Sequence, residues 1–106
     1  MARIDPTIND KKLNDILQGC YNRMDVSYYK YGAAKKNFGE GRVDAAKSAE
    51  LCLDKFFKTR NTEYLMDVIN YSIYAIMFPL PGDYFKPTDS NESAGTVGTP
   101  INMERN

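Results

Sequence analysis

The segment Glu63 to Phe78, EYLMDVINYSIYAIMF, is helix-length and is apolar or aromatic on nearly every side. At roughly 100° per residue, its few polar interruptions are ordered: Glu63, Asp67, Asn70 and Tyr74 fall on one narrow stripe, and Ser72 falls opposite. Such a helix has to be covered over most of its circumference. The polar stripe is therefore either a thin strip of solvent exposure or the wall of a site.

The 106 residues leave room for one domain with a modest core. Formal charge balances, but unevenly along the chain: residues 1–60 hold 12 Lys/Arg against 8 Asp/Glu, and residues 61–106 hold 2 against 6. That asymmetry points to complementary surfaces within or between subunits. It lacks the strong positive field of a duplex nucleic-acid binder.

With no histidine in the chain, Ser-His and Cys-His nucleophilic catalysis is excluded, as is imidazole-based zinc binding. Any chemistry has to use carboxylates, Lys, Tyr or a hard metal ion. Cys20 and Cys52 each sit among apolar residues at helical spacing, which predicts buried, reduced thiols. The start, MARIDPTIND, lacks the apolar centre of a signal peptide, and the apolar run of the third helix is too short and too striped to span a bilayer. The expectation is a cytoplasmic protein with no membrane partner.

Three helices are expected, at about 9–31, 43–58 and 62–78. In the first, Leu13, Ile16, Leu17, Cys20, Tyr21, Met24, Tyr28 and Tyr31 recur at steps of three and four after a cap at Asn9 or Asp10, with Gly19 a weak point. GAAKKNFGEG reads as a loop or frayed last turn. In the second, Ala45, Ala49, Cys52, Leu53, Phe56 and Phe57 form the apolar face. The short link TRNT, with Thr62 as N-cap and Glu63 in the first turn, implies an antiparallel hairpin with the third. Beyond Phe78 come four of the five prolines and no helical period. The reading is a helical domain over 1–86, with Tyr84 and Phe85 packed on the helices, and an extended or disordered tail over 87–106.

The fold class is thus all-α: a three-helix hairpin or bundle subunit with a long irregular C-terminal tail. Three helices do not easily enclose a third helix this apolar. A homo-oligomer, with that helix at its centre, is the expected solution.

Three places can hold chemistry. Glu50 and Asp54 lie one turn apart on the second helix, and Glu63 and Asp67 one turn apart on the third, so an antiparallel pairing can aim four carboxylates at a Mg²⁺ ion. The alternative is a solvated face of i,i+4 and i,i+3 pairs with Lys47 and Lys58. Between the first two helices, Tyr28, Tyr29, Tyr31 and Phe38 interleave with Lys30, Lys35, Lys36 and Arg42. Aromatic faces can stack on a base while cations and glycine-loop amides take phosphates, although no Walker or complete G-x-G-x-x-G series is present. In the tail, Asp89, Asn91 and Ser93 match the opening of a calcium loop, but Gly95 is one position late and Pro100 stands where a bidentate Glu belongs.

Residues 44–78 resemble the all-α MazG and dUTPase-type nucleoside triphosphate pyrophosphohydrolases, with Glu63-Tyr-Leu-Met-Asp67 the better half of the match. Ala49-Glu50-Leu51 stands where that family's first motif has an adjacent glutamate pair. KTRNTEYLMDVINYSIYAIMFP followed by YFKPTDSNESAG is similar to small helical accessory proteins of phages and prophages. The second resemblance implies a protein in the cytoplasm of an infected bacterial host and carries over no catalytic residues.

The leading expectation is a non-catalytic helical oligomer that binds a phosphorylated, nucleotide-like ligand, such as a host immune signal, through Tyr28, Tyr29, Lys30, Lys35, Lys36 and Arg42. Two alternatives stand beside it. One is a Mg²⁺-dependent nucleotide pyrophosphohydrolase with Glu50, Asp54, Glu63 and Asp67 as metal ligands, and the other is an inhibitor that binds a host enzyme.

Overall fold

The computed structural model describes residues 5–88 and 95–99. Among them there are helices and no strands: α1 (Asp10–Tyr31), a single π-helical turn (Lys35–Gly39), α2 (Ala45–Thr59) and α3 (Glu63–Met77). The all-α expectation holds, and the helix bounds agree with the sequence reading to within two residues.

Each start has a local cause. The Asn9 side chain accepts from the Lys12 amide at 3.0 Å and opens α1, and Asp44 does the same for Lys47 at the head of α2. At the head of α3 the sequence expectation needs correcting. Thr62 has helical backbone angles and makes no side-chain cap; Asn61 Oδ1 instead accepts from the Glu63 amide at 3.0 Å. A capping side chain needs an extended backbone to fold back over the helix start, and Thr62, at φ −65° and ψ −13°, lacks it. Gly19 does not interrupt α1. Its missing side chain is where the tip of Met66 rests.

α2 and α3 make the most extensive contact in the fold. They run antiparallel: Asp44, Ala45 and Ala46 at the start of α2 meet Ala75 and Phe78 at the end of α3, while Lys55 stands 6.0 Å from the Tyr64 ring at the opposite end. The turn between them places Arg60 in the left-handed region at φ 63°. Its amide donates to the Phe56 carbonyl and its guanidinium lies 4.7 Å from the Phe56 ring centre, interactions that offset the cost of that conformation.

α1 leans on α3 through a thinner seam built from Gly19, Cys20 and Arg23. The result is a small core. Cys20, Ala45 and Asn70 are the buried residues among those described, and Cys52 is half-buried. Ile69, Ile73, Ile76 and Met77 on α3 are exposed, as are Leu17 and Tyr21 on α1.

Past Phe78 the packed chain ends sooner than the sequence suggests. Leu80 and Asp83 close a turn on each other, with the Leu80 amide donating to Asp83 Oδ2 at 3.0 Å and the Asp83 amide to the Leu80 carbonyl at 2.9 Å. Tyr84 and Phe85, expected to pack on the helices, are 86% and 84% exposed. The turn satisfies its polar groups locally and directs the chain off the bundle after Leu80 has covered the α2–α3 end. Asp89, Asn91, Ser93 and Pro100 lie outside the described residues.

Candidate functional site: an aromatic groove between α1, the π-turn and α3

The π-turn shapes one side of a groove of about 820 Å³. Asn37 ties the turn down: its Nδ2 donates to the Tyr31 carbonyl at 3.0 Å, and its own carbonyl accepts from the Val43 amide at 2.9 Å. The next residue, Phe38, is thereby laid on α3. Its ring stacks on Tyr74 with centroids 4.4 Å apart and planes 14° apart, and meets Tyr71 edge-on at 6.2 Å. Tyr21, Tyr28 and Tyr31 line the groove from α1, and Phe78 closes it at the end of α3.

Its polar edge is the stripe seen in the sequence. Asp67, Asn70 and Tyr74 all border the groove, while Glu63 lies beyond it. Asn70 is 6% exposed; its Nδ2 donates across the seam to the Cys20 carbonyl at 3.0 Å, and its Oδ1 has no partner. An unpaired buried acceptor costs about 1–3 kcal/mol, so its position calls for a reason.

Arg23 reaches across the same seam. Its Nη2 donates to Glu63 Oε1 at 2.6 Å, its Nε stands 3.7 Å from Asp67 Oδ1, and its Nη1 donates to the Gly19 carbonyl at 3.4 Å. Burial pushes the Asp67 carboxyl above its ordinary range, with Arg23 pulling the other way and Glu63 adding to the rise. Burial likewise raises the phenols of Tyr71 and Tyr74. Both therefore stand neutral at pH 7, available as hydrogen-bond donors and as flat apolar faces. Burial also raises the Cys52 thiol, which disfavours the thiolate.

Of the residues the sequence assigns to a ligand, Tyr28 lines the groove. Tyr29 is 90% exposed and borders none of it. Lys30, Lys35, Lys36 and Arg42 are not in the lining, but they flank residues that are: Tyr31, Ala34, Asn37 and Val43. They adjoin the groove in sequence and stand outside its lining. Arg42 also stands 3.8 Å from Glu40.

The four acids of the metal alternative are arranged differently. Glu50 and Asp54 are exposed on α2, whereas Glu63 and Asp67 are engaged by the Arg23 guanidinium. Among the described residues, no three His, Cys, Asp or Glu side chains gather closely enough to hold a metal ion. Nor is any described helix long and apolar enough to cross a membrane.

Arg23, Tyr71 and Met24 are site residues that sequence reasoning missed. Tyr71 carried a usable signal, since its spacing from Tyr74 and Phe78 puts three aromatic rings along one side of α3. Arg23 carried none, because its partner lies 40 residues away. No family model, curated protein or solved structure matches the chain.

Proposed function

We propose that the protein is a non-catalytic helical binding module whose α1–π-turn–α3 groove takes a flat, phosphorylated, nucleotide-like ligand. The observation that carries this reading is the groove itself: about 820 Å³, walled by Tyr28, Phe38, Tyr71 and Tyr74, with lysines and an arginine on the flanking chain. That volume lies in the range of small-molecule sites, and aromatic walls with a few polar groups are their usual lining. A base would lie against the rings while Lys30, Lys35, Lys36 and Arg42 meet the phosphates from the rim. In a phage setting, the corresponding role is to sequester a nucleotide signal in the bacterial cytoplasm. Titration calorimetry of the purified protein against a nucleotide panel tests this reading: binding to at least one member is expected, and no binding to any contradicts it.

Ile69 and Ile76, exposed on α3 and outside the groove's lining, support the companion reading of a homo-oligomer. Sedimentation equilibrium of the same sample should return a mass above that of one 12.1 kDa chain. The pyrophosphohydrolase alternative draws less support. Arg23 already supplies the positive charge facing Glu63 and Asp67, where that chemistry would place a divalent cation. Mg²⁺-dependent release of pyrophosphate that vanishes in Asp67→Asn would restore it.

A further inference from the structure

We infer that the groove also takes a second copy of the chain: in a reciprocal dimer, Tyr84 and Phe85 of each copy insert between α1 and α3 of the other. The aromatic pair is the starting point. Its two rings are exposed side by side on a stretch that belongs to no helix or strand. The direction of this arm is set by the turn before it. Pro81 and Gly82, the latter at φ 96°, fill the two central positions of the Leu80–Asp83 turn, where proline and glycine suit a type II geometry, and the Asp83 amide closes it on the Leu80 carbonyl at 2.9 Å. The arm therefore leaves its own bundle with both rings in solvent.

The groove matches the arm in length, lining and place. Its α3 wall runs from Asp67 to Phe78, about 16 Å of helix. Residues 83–87, laid out extended, reach a similar distance of about 17 Å. Neighbouring side chains of an extended stretch point to opposite sides, so one ring meets Met24 and Tyr28 on the α1 wall and the other Tyr71 and Met77 on the α3 wall. Phe38 and Phe78 border both the groove and the recess that Leu80 and Asp83 line, so the root of each arm stands at one end of its own groove. A two-fold axis beside that end presents each arm to the other copy's groove, the self-complementary arrangement of an isologous dimer. Each buried ring covers roughly 150–250 Å²; two per arm, the walls they cover and the reciprocal contact together bury roughly 1,200–2,000 Å², the size of a stable interface. Charge agrees with the exchange, which brings residues 61–106, with 6 acidic against 2 basic, onto residues 1–60, with 12 basic against 8 acidic. On the nucleotide reading, arm and ligand use the same walls, so a ligand enters by displacing the arm and assembly holds binding in check.

Isotope-filtered NMR on a mixture of labelled and unlabelled full chain, without nucleotide, tests this because it records only contacts between copies. Wild type should show cross-peaks from the Tyr84 and Phe85 rings to the Met24 and Met77 methyls. The double variant Tyr84→Ser, Phe85→Ser should lose them and self-associate at least about 100-fold more weakly by sedimentation. Both rings are exposed, so the double variant keeps the fold. Arm-to-groove contacts within one copy only, seen in a uniformly labelled sample, would overturn the exchange, as would the absence of any such contact. Unchanged self-association of the double variant would put the interface elsewhere, at Ile69 and Ile76 on α3, and would overturn it as well. With no nucleotide in the sample, each of these results leaves the nucleotide reading to be judged separately by the calorimetry panel.

Discussion

Asn70 donates from Nδ2 to the Cys20 carbonyl oxygen at 3.0 Å, joining α1 to α3 through a buried side chain whose other polar atom is unpaired. The bond links 50 residues of sequence separation with one amide, where few side chains among the described residues are buried at all. It also fixes the orientation of the amide, with Nδ2 toward α1 and the buried Oδ1 left unpaired.

The seam predicts an order of mutational effects. Asn70→Ala loses the bond to Cys20 but also removes the unpaired acceptor, so the cost should stay below about 1 kcal/mol. Asn70→Asp keeps the shape and sets a carboxylate against the Cys20 carbonyl, at a cost of roughly 2–3 kcal/mol. Urea denaturation at pH 7 measures both. Equal destabilisation by the two substitutions would contradict the assigned geometry.

A second ordering separates two neighbours at the head of α3. Asn61→Ala should lower stability by about 1 kcal/mol, because Asn61 Oδ1 holds the Glu63 amide. Thr62→Ala should change it by less than about 0.5 kcal/mol. Thermal unfolding of the two variants checks the difference, and the reverse order would restore Thr62 as the cap.

Much of this fold was legible in the sequence, for identifiable reasons. Periodicity and the Asn9 and Asp44 caps locate the helices because both effects act within one turn. The stripe Asp67, Asn70, Tyr74 was visible as a candidate wall because a helix fixes which residues share a side. Arg23 was not visible, since its partners depend on where α1 crosses α3. Phe38 appeared only as part of a basic and aromatic loop; its stack on Tyr74 requires the π-turn, which no local pattern announces. Tyr84 and Phe85 misled for the opposite reason. Aromatic character suggested burial, but a hydrogen-bonded turn at Leu80–Asp83 had already sent the chain off the bundle.

Gly19 predicts a graded response. A Cβ there meets the flexible tip of Met66, which can swing aside, and the helix gains from losing a glycine. Gly19→Ala should therefore fall within about 0.5 kcal/mol of wild type. Gly19→Leu should cost about 1–3 kcal/mol by pushing α1 off α3. Chemical denaturation of the pair tests this, and a Leu variant as stable as the Ala variant would show that the seam does not depend on close approach.

Alkaline titration follows from the groove's tyrosines. Burial first, and then neighbouring groups, lift the Tyr71 and Tyr74 phenols above their ordinary value of 10.0. Unfolded, both ionise near 10.0, so the folded chain holds more protons above that point. Their contribution to stability is then fully present below pH 10.0 and is lost as pH rises through the folded values. Absorbance at roughly 295 nm should show these two of the 8 tyrosines ionising after the others, with the late phase missing in a Tyr71→Phe, Tyr74→Phe double variant. A single uniform transition in wild type would contradict it.

The most direct test of the groove as a ligand site is an NMR titration of the full chain with each member of the nucleotide panel, following the aromatic resonances of Phe38, Tyr71 and Tyr74 and the methyls of Met24 and Met77. These groups border the groove, and a base lying on its walls should shift them by ring currents, while Leu51 and Phe57 on α2, outside the lining, stay unmoved. Saturable shifts confined to the groove are the predicted result. No shift at Phe38, Tyr71 or Tyr74, or shifts centred on Leu51 and Phe57, would contradict it.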